Sequence, residues 1–529
     1  MSGLPTPAPA EAPHGPDPYR APAAKAPPPF SWLRPSDPGR KASAGPKVIG
    51  AAVLTGALTA WMLGDGLGAN LLVCAAVATA GAGLAARSAG RRVRVWTVLW
   101  SVLALTLLAV PALSEAGWPV ALSLVCALAL TSLALHGGRR WPGVLLALPG
   151  ILWQLVPGLR WAREGLRGLS VPGRGRLVPV LKAVLVAAVL LTVFGWLFAS
   201  ADAAMADMLS SLTPSVGVGE LPLRLALFVL GVATSLGFAH IAAGPRRWDR
   251  TAVKPGRERG RLEWALPLTA LNLMFGAFAL VQAVVVLGGR DSIMDNTGMS
   301  RSEYARQGFW QLTAVTVLTL VVVAVAKRWA PRSTPGDRRL TRILLGALCL
   351  LTLVVVASAL GRMYYYVDAS GLTRLRLWVL VVEVWLGAVF LLLIAAGLTR
   401  SAAWLPRAVV LSAAVTAAVY GLMGPDAIVA EQNVSRFEQS RQIDLRNVRD
   451  LSLDAVPALD RLPDDRRTCA LELMRIELGA RPSPWYATSL AESRAREILA
   501  DRPLPDASPD GRSACDRAGL RGYGQVREY

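Results

Sequence analysis

Hydrophobic positions run along this chain in long blocks. Eleven blocks cover residues 48–64, 67–86, 93–113, 117–135, 177–200, 222–243, 264–288, 309–326, 341–360, 376–397 and 407–424. About 20 apolar residues of α-helix cross the hydrocarbon core of a bilayer, so each block predicts a membrane-spanning helix. Short links at 64–66 and 114–117 predict antiparallel helical hairpins. A further apolar stretch, 143–158 (GVLLALPGILWQLVPG), is short and interrupted by Pro149 and Pro157. Arg139, Arg140, Arg160, Arg163 and Arg167 flank it, which fits an interfacial or re-entrant segment better than a span.

The polar positions divide the rest. Residues 1–46 are dominated by Pro and Ala; proline fixes φ and removes donors, so an extended, disordered arm is expected. No cleavable signal is expected, because the first apolar block begins near residue 48 and lacks a convincing cleavage site. Residues 425–529 contain no lysine, 16 arginines and 18 Asp plus Glu. Apolar residues recur there at helical spacing, as Val448, Leu451, Leu453, Val456 and Leu459 and again as Leu471, Leu473, Met474, Ile476 and Leu478. The expected architecture is all-α: a polytopic transmembrane helical bundle of about eleven spans over 47–424, with a small helical extramembrane domain at the C-terminal end.

Charge orients this bundle. Alternate gaps hold Arg87, Arg91, Arg92 and Arg94; then 139–182; then 246–261; then 327–342; then Arg400 and Arg407, together 27 Lys and Arg. The other gaps hold six: Arg290, Arg301, Arg306, Arg362, Arg374 and Arg376. Basic residues accumulate in short cytoplasmic loops. The rich set and the N-terminal arm are therefore expected in the cytoplasm of a plasma-membrane protein, and an odd number of spans sends the tail outside.

Composition changes this picture little. The chain is 53% hydrophobic and 17% charged, with a mean hydropathy of +0.42 and a net charge of +20. In a soluble protein a pI near 10.6 would suggest nucleic acid. Here the excess is mostly loop arginine, and no nucleic-acid motif accompanies it, so no nucleic-acid partner is expected. The lipid bilayer and its anionic head groups at the cytoplasmic loops are the partners expected instead. Cys74, Cys126 and Cys349 sit in apolar blocks. Cys469 and Cys515 share the tail and are able to pair if that tail is exported. No metal or cofactor motif is present, and none is expected.

Candidate chemistry begins with Glu383, an ionisable group inside a span and so a functional candidate by default. Arg376 lies seven residues earlier on the same helix face, with Arg362 and Arg374 in the preceding gap. A structural ion pair, a proton- or cation-coupling carboxylate, and a carboxylate too shallow for either role stay open. Asn272, Gln282 and Gln311 are milder cases with interhelical hydrogen bonding as their default. Beyond the spans, Asp202, Asp207, Glu220, Asp291, Asp295, Glu303 and Asp368 fall on the expected outer face, where carboxylates serve metal-dependent transferases. Yet Asp202 and Asp207 do not align on one helix face, and no histidine joins them. P-loop, HExxH and GxSxG motifs are all missing.

Several segments resemble one family in order along the chain. They are 197–202 (LFASAD), 271–282 (LNLMFGAFALVQ), Gly288 and Gly289, 304–312 (YARQGFWQL), Arg362–Met363 with Tyr365, 371–374 (GLTR), Asp426, 428–430, Asn433, Asp444, 451–459 (LSLDAVPAL), Trp485 and 494–496 (RAR). They are similar to motifs of the bacterial multi-pass membrane proteins filed as domains of unknown function 4153 and 4173. Ser370 stands where the family pattern has an aromatic before GLT, and 285–287 replaces an aromatic-containing stretch. The resemblance implies a polytopic fold but no assigned activity. It also marks Asp202, Tyr304, Arg306, Tyr365, Asp368 and Asp454 on the expected outer face. Solvent loops normally tolerate change, so recognisable ones hint that this face binds or packs something, the C-terminal domain included.

Three functional readings follow. The first is a non-enzymatic envelope protein that senses, scaffolds or regulates through its outer face, with an envelope protein as partner. The second is a transporter or channel using Glu383. The third is an envelope transferase using the outer carboxylates.

Overall fold

The computed structural model describes residues 43–152, 154–168, 220–245, 248–250, 260–287, 309–329, 334–399, 401–480, 484–505 and Cys515, with isolated helical positions between 183 and 208. Among the described residues there is no strand. Ten helices among the described residues are long and apolar enough to cross a membrane. The protein is an all-α polytopic membrane protein. The expected arm lies outside the described residues up to residue 42, and of the expected 177–200 span only scattered helical positions are described.

The spanning helices are α1 (Pro46–Met62), α2 (Ala69–Ser88), α3 (Val95–Leu108) continued by α4 (Val110–Leu113), and α5 (Gly117–His136). After them the segment around 143–158 folds as three short helices, α6 (Trp141–Leu145), α7 (Ala147–Leu152) and α8 (Leu155–Gly168). Pro142, Pro149 and Pro157 each stand in the first turn of their helix, and the rings of Pro149 and Pro157 clash with a continuation of the helix before, which separates the three. None reaches spanning length. The later spans are α9 (Leu221–Ala243), α10 (Arg261–Leu287), α11 (Phe309–Trp329), α12 (Pro335–Ser370), α13 (Arg374–Leu398) and α14 (Leu405–Leu422). The 36 residues of α12 make a rod of about 54 Å, longer than the roughly 30 Å hydrocarbon core. It is thus long enough to extend beyond the hydrocarbon core.

Three cores hold the spans. Small residues close the first: a Cβ on Gly56 would meet Val232 Cγ2 at 2.5 Å, and one on Gly231 would meet Gly56 Cα at 3.0 Å. In lipid, where apolar burial drives little association, such close backbone approach supplies the contact. The second core packs Trp100, Leu107, Leu130 and Leu133 of α3 and α5 against Ala414, Ala417 and Ala418 of α14. The third joins α10 to α13 through Trp264, Phe275, Leu348 and Phe390.

The extramembrane domain comprises α15 (Pro425–Ser440), α16 (Leu445–Arg449), α17 (Val456–Leu459), α18 (Asp464–Ala480) and α19 (Leu490–Asp501). Val429, Val448, Val456, Leu459, Leu471 and Met474 form its core, and Leu372 from the α12–α13 turn is buried among them. Cys469 of α18 is disulfide-bonded to Cys515.

Candidate functional site

The polar side chains with the most partners gather where the C-terminal domain meets the ends of the spans. The link begins at Gly371, which ends α12 with a φ of +80°. A Cβ there would lie 2.5 Å from Asn433 Oδ1, so both conformation and space call for glycine. The turn then exposes the Leu372 carbonyl, which accepts from Asn433 Nδ2 at 2.8 Å. Thr373 caps α13 by accepting from the Arg376 N–H at 3.3 Å.

Arg374 follows, and its guanidinium forks onto Asp426, Nε to Oδ1 at 2.8 Å and Nη2 to Oδ2 at 2.5 Å. Asp426 is fully buried in the first turn of α15 and also accepts the Ser452 N–H at 2.8 Å. Three donors thus satisfy this carboxylate at the N-terminus of α15.

Two further contacts lie around it. Asp454 accepts the Glu115 N–H at 2.9 Å and the Ser452 hydroxyl at 2.8 Å, tying the α4–α5 turn to the domain. Burial holds the Glu115 carboxyl above its usual range, helped by the Glu492, Asp454 and Glu477 carboxylates and opposed by a hydrogen bond with Ser489. At the α1–α2 turn, Tyr486 donates its hydroxyl to Asp65 Oδ2 at 2.6 Å, and Arg224 donates to Asp65 Oδ1 at 2.9 Å. The Tyr486 phenol is raised mainly by that bond to a carboxylate. The Asn70 N–H meets the Tyr486 carbonyl at 3.1 Å, and a Cβ on Gly68 would touch Ala487 backbone at 2.9 Å. Trp118, Trp378 and Tyr420 cluster at this end of α5, α13 and α14, with Trp118 and Trp378 ring centroids 4.4 Å apart. Between the turns and the domain lies a cavity of about 210 Å³, lined by Ser114, Met423, Asp454, Leu490 and Arg494.

Glu383 lies apart, fully buried in the third core. Thr316 donates to its Oε1 at 3.3 Å, and Oε2 has no hydrogen-bond partner. The expected Glu383–Arg376 ion pair is replaced by other partners. Arg376 donates to the carbonyls of Ser370 and Gly371 and covers the Tyr366 ring at 3.8 Å. Seven helical residues separate the two groups by about 10 Å of rise, so a shared face does not bring them together. The carbonyls at the end of α12 are nearer and attract a cation. Arg374, grouped with Glu383 in the sequence, belongs to Asp426. Arg362 is half-buried on α12 beyond Ser358, whose hydroxyl donates to Gln282 at 2.7 Å.

Of the expected outer-face residues, Asp454 is in the junction, while Tyr365 and Asp368 are exposed on the last turns of α12. Asp202, Tyr304 and Arg306 lie outside the described residues, as do Asp207, Asp291, Asp295 and Glu303. Among the described residues no group of three His, Cys, Asp or Glu is placed to hold a metal. Sequence reasoning missed Asp65, Asn70, Glu115 and Tyr486 as partners. The available signal was only polar residues in turns too short to need them.

The arrangement holds two bodies in register through charge-assisted bonds. Comparison with curated proteins and with solved structures returns no match. A family model described as Domain of unknown function (DUF4153) matches residues 102–462, from the middle of α3 through α17, so both sides of the Arg374–Asp426 contact lie within it. The chain belongs to that family.

Proposed function

We propose that this protein is a non-enzymatic envelope protein that senses, scaffolds or regulates through the membrane face carrying its C-terminal domain. The observation that carries this reading is that the motif residues Gly371, Arg374, Asp426, Asn433 and Asp454 are engaged in seating that domain on the spans. A ligand or partner that binds the domain then acts on the ends of α5, α12 and α13 directly.

In this reading the domain faces the extracytoplasmic side. Two observations support that side. The basic gaps meet at the opposite ends of the same helices, where Arg407 donates to Gly138 at 3.0 Å and Arg91 to Ala242 at 3.1 Å. The Cys469–Cys515 disulfide suits an oxidising compartment. A periplasm-active reporter fused after residue 529 is expected to be active. A reporter active only in the cytoplasm would overturn the orientation. Photo-crosslinkers placed in the full chain at exposed Trp485 and Arg494 are expected to capture one envelope protein in intact cells; their crosslinking to nothing but lipid would sink the partner role.

A transporter using Glu383 is the second reading, favoured by the buried Oε2 without a hydrogen-bond partner. Glu383→Gln abolishes solute or ion flux in reconstituted vesicles under this reading. It leaves domain function intact under the first.

A further inference from the structure

The helix α8 meets three environments at once. Its residues Gly158, Trp161, Ala162 and Gly165 are buried, at the spacing of one helical stripe. They pack on α9 and the start of α1: a Cβ on Gly158 would lie 2.9 Å from Gly237, and Trp161 stacks edge-on with His240 at 5.6 Å. Beside the stripe, Leu159 and Leu166 are 43% and 47% exposed, and Val156, 58% exposed, lies in the first turn on the side of the arginines. On the remaining flank Arg160, Arg163 and Arg167 are exposed, with Glu164 as the acid among them.

Its depth is set by the helices it touches. Gly165 packs on Ala44, just before α1 starts at Pro46, and Trp161 meets α9 three residues before it ends at Ala243. The boundary of the bilayer therefore passes through α8, at the end of the bundle away from the C-terminal domain. Running in step with the end of α9, from Gly158 beside Gly237 to Trp161 beside His240, α8 crosses this boundary with its first turns among acyl chains and its later arginines at the phosphate level. Lys47, Arg87, Arg92 and Arg94 are exposed at the neighbouring ends of α1, α2 and α3 and extend the positive field.

We propose that α8 is a binding site for anionic phospholipid, in which Arg160 and Arg163 take the headgroup phosphate while Val156 and Leu159, in the first turns, lie against the acyl chain. The site is independent of the role proposed for the opposite face. Charge complementarity selects this occupant: a zwitterionic lipid offers the same chain but cancels the phosphate charge.

The test uses the full chain in detergent with equimolar phosphatidylglycerol and phosphatidylcholine, scored by native mass spectrometry. Phosphatidylglycerol is expected to be retained preferentially, by about five-fold for each arginine engaged. The preference should shrink as NaCl is raised from about 0.1 to 1 M, where screening shortens from about 10 to 3 Å. Arg160→Gln with Arg163→Gln should remove most of it, while Arg461→Gln with Arg466→Gln in the C-terminal domain should not. Absence of a preference in the unmodified chain, or equal loss in both double variants, overturns the proposal. Should the α8 variant fail to fold, photoactivatable phosphatidylglycerol on the unmodified chain decides. Crosslinks on the peptide around Arg160 support the site, and crosslinks confined to other helices refute it.

Discussion

Two regions of this molecule handle buried charge in opposite ways. At the junction, fully buried Asp426 receives two bonds from Arg374 and one from the Ser452 backbone. In the third membrane core, equally buried Glu383 receives one long bond from Thr316 and leaves Oε2 without a hydrogen-bond partner. Thr319 and Thr352 turn their hydroxyls to the carbonyl four residues back, as Ser and Thr do in membrane helices, and the one Thr316 proton is shared between the Leu312 carbonyl and Glu383. Both carboxylates occupy an apolar protein interior; one is built into a fixed contact between elements, the other is held loosely within a single core. The first arrangement specifies position. The second keeps a polar group accessible to a change of partner.

The comparison breaks first at Arg374. Arg374→Ala strands the buried Asp426 carboxylate; with Arg374 itself 40% exposed, the loss is that of one unsatisfied buried charged acceptor, about 3 kcal/mol. The expected result is release of the C-terminal domain, read as new protease cuts after residue 424 and a lower unfolding temperature. Unchanged protection would show that the pair does not hold the junction.

Removing the cross-link comes next. Cys469→Ser with Cys515→Ser opens a loop of sequence separation 46 and should cost about 2–4 kcal/mol in the domain alone. A thermal scan should show the domain transition falling while the membrane transition stays. Gly371→Ala places a methyl against Asn433 at a positive φ and is expected to cost about 1–3 kcal/mol, with partial undocking visible by hydrogen exchange at Leu372.

Glu383→Gln keeps shape and the Thr316 contact, so its effect on unfolding should stay within about 1 kcal/mol. A larger loss would mean that the carboxylate is a structural anchor after all.

The smallest effect is in pH. Burial and three neighbouring carboxylates raise the Glu115 carboxyl in the docked state, so the docked form binds more protons than the undocked one. Between the ordinary carboxylate value and the raised one, docking therefore weakens as pH rises. Glu115→Gln should firm the junction at neutral pH and flatten that slope, measured as protease protection across mildly acidic pH. A slope unchanged by the substitution would point to other groups.

Particular residues show how far the chain was legible. The spans, the broken segment at 143–158 and the helical tail follow from block length and periodicity, which are local properties. Asp454 was picked out by motif, yet its partner is the Glu115 backbone, 339 residues earlier. The Arg376–Glu383 pairing was read from helical spacing and failed, because spacing shows a shared face but not which end of a neighbouring helix is closer. Asp65 and Tyr486, 421 residues apart, carry no pattern that would join them.

The sequence by itself determined the membrane fold, the placement of the ten described spans and the segregation of basic charge, since each depends on transferring contiguous residues from water to lipid. It did not set every helix end, as the Pro335–Ser370 helix outruns its 341–360 block at both ends. Only the tertiary structure decided which polar groups meet. In an apolar interior a charge is tolerated where a partner arrives from elsewhere in the chain, and that arrival is a matter of packing geometry that no local pattern encodes.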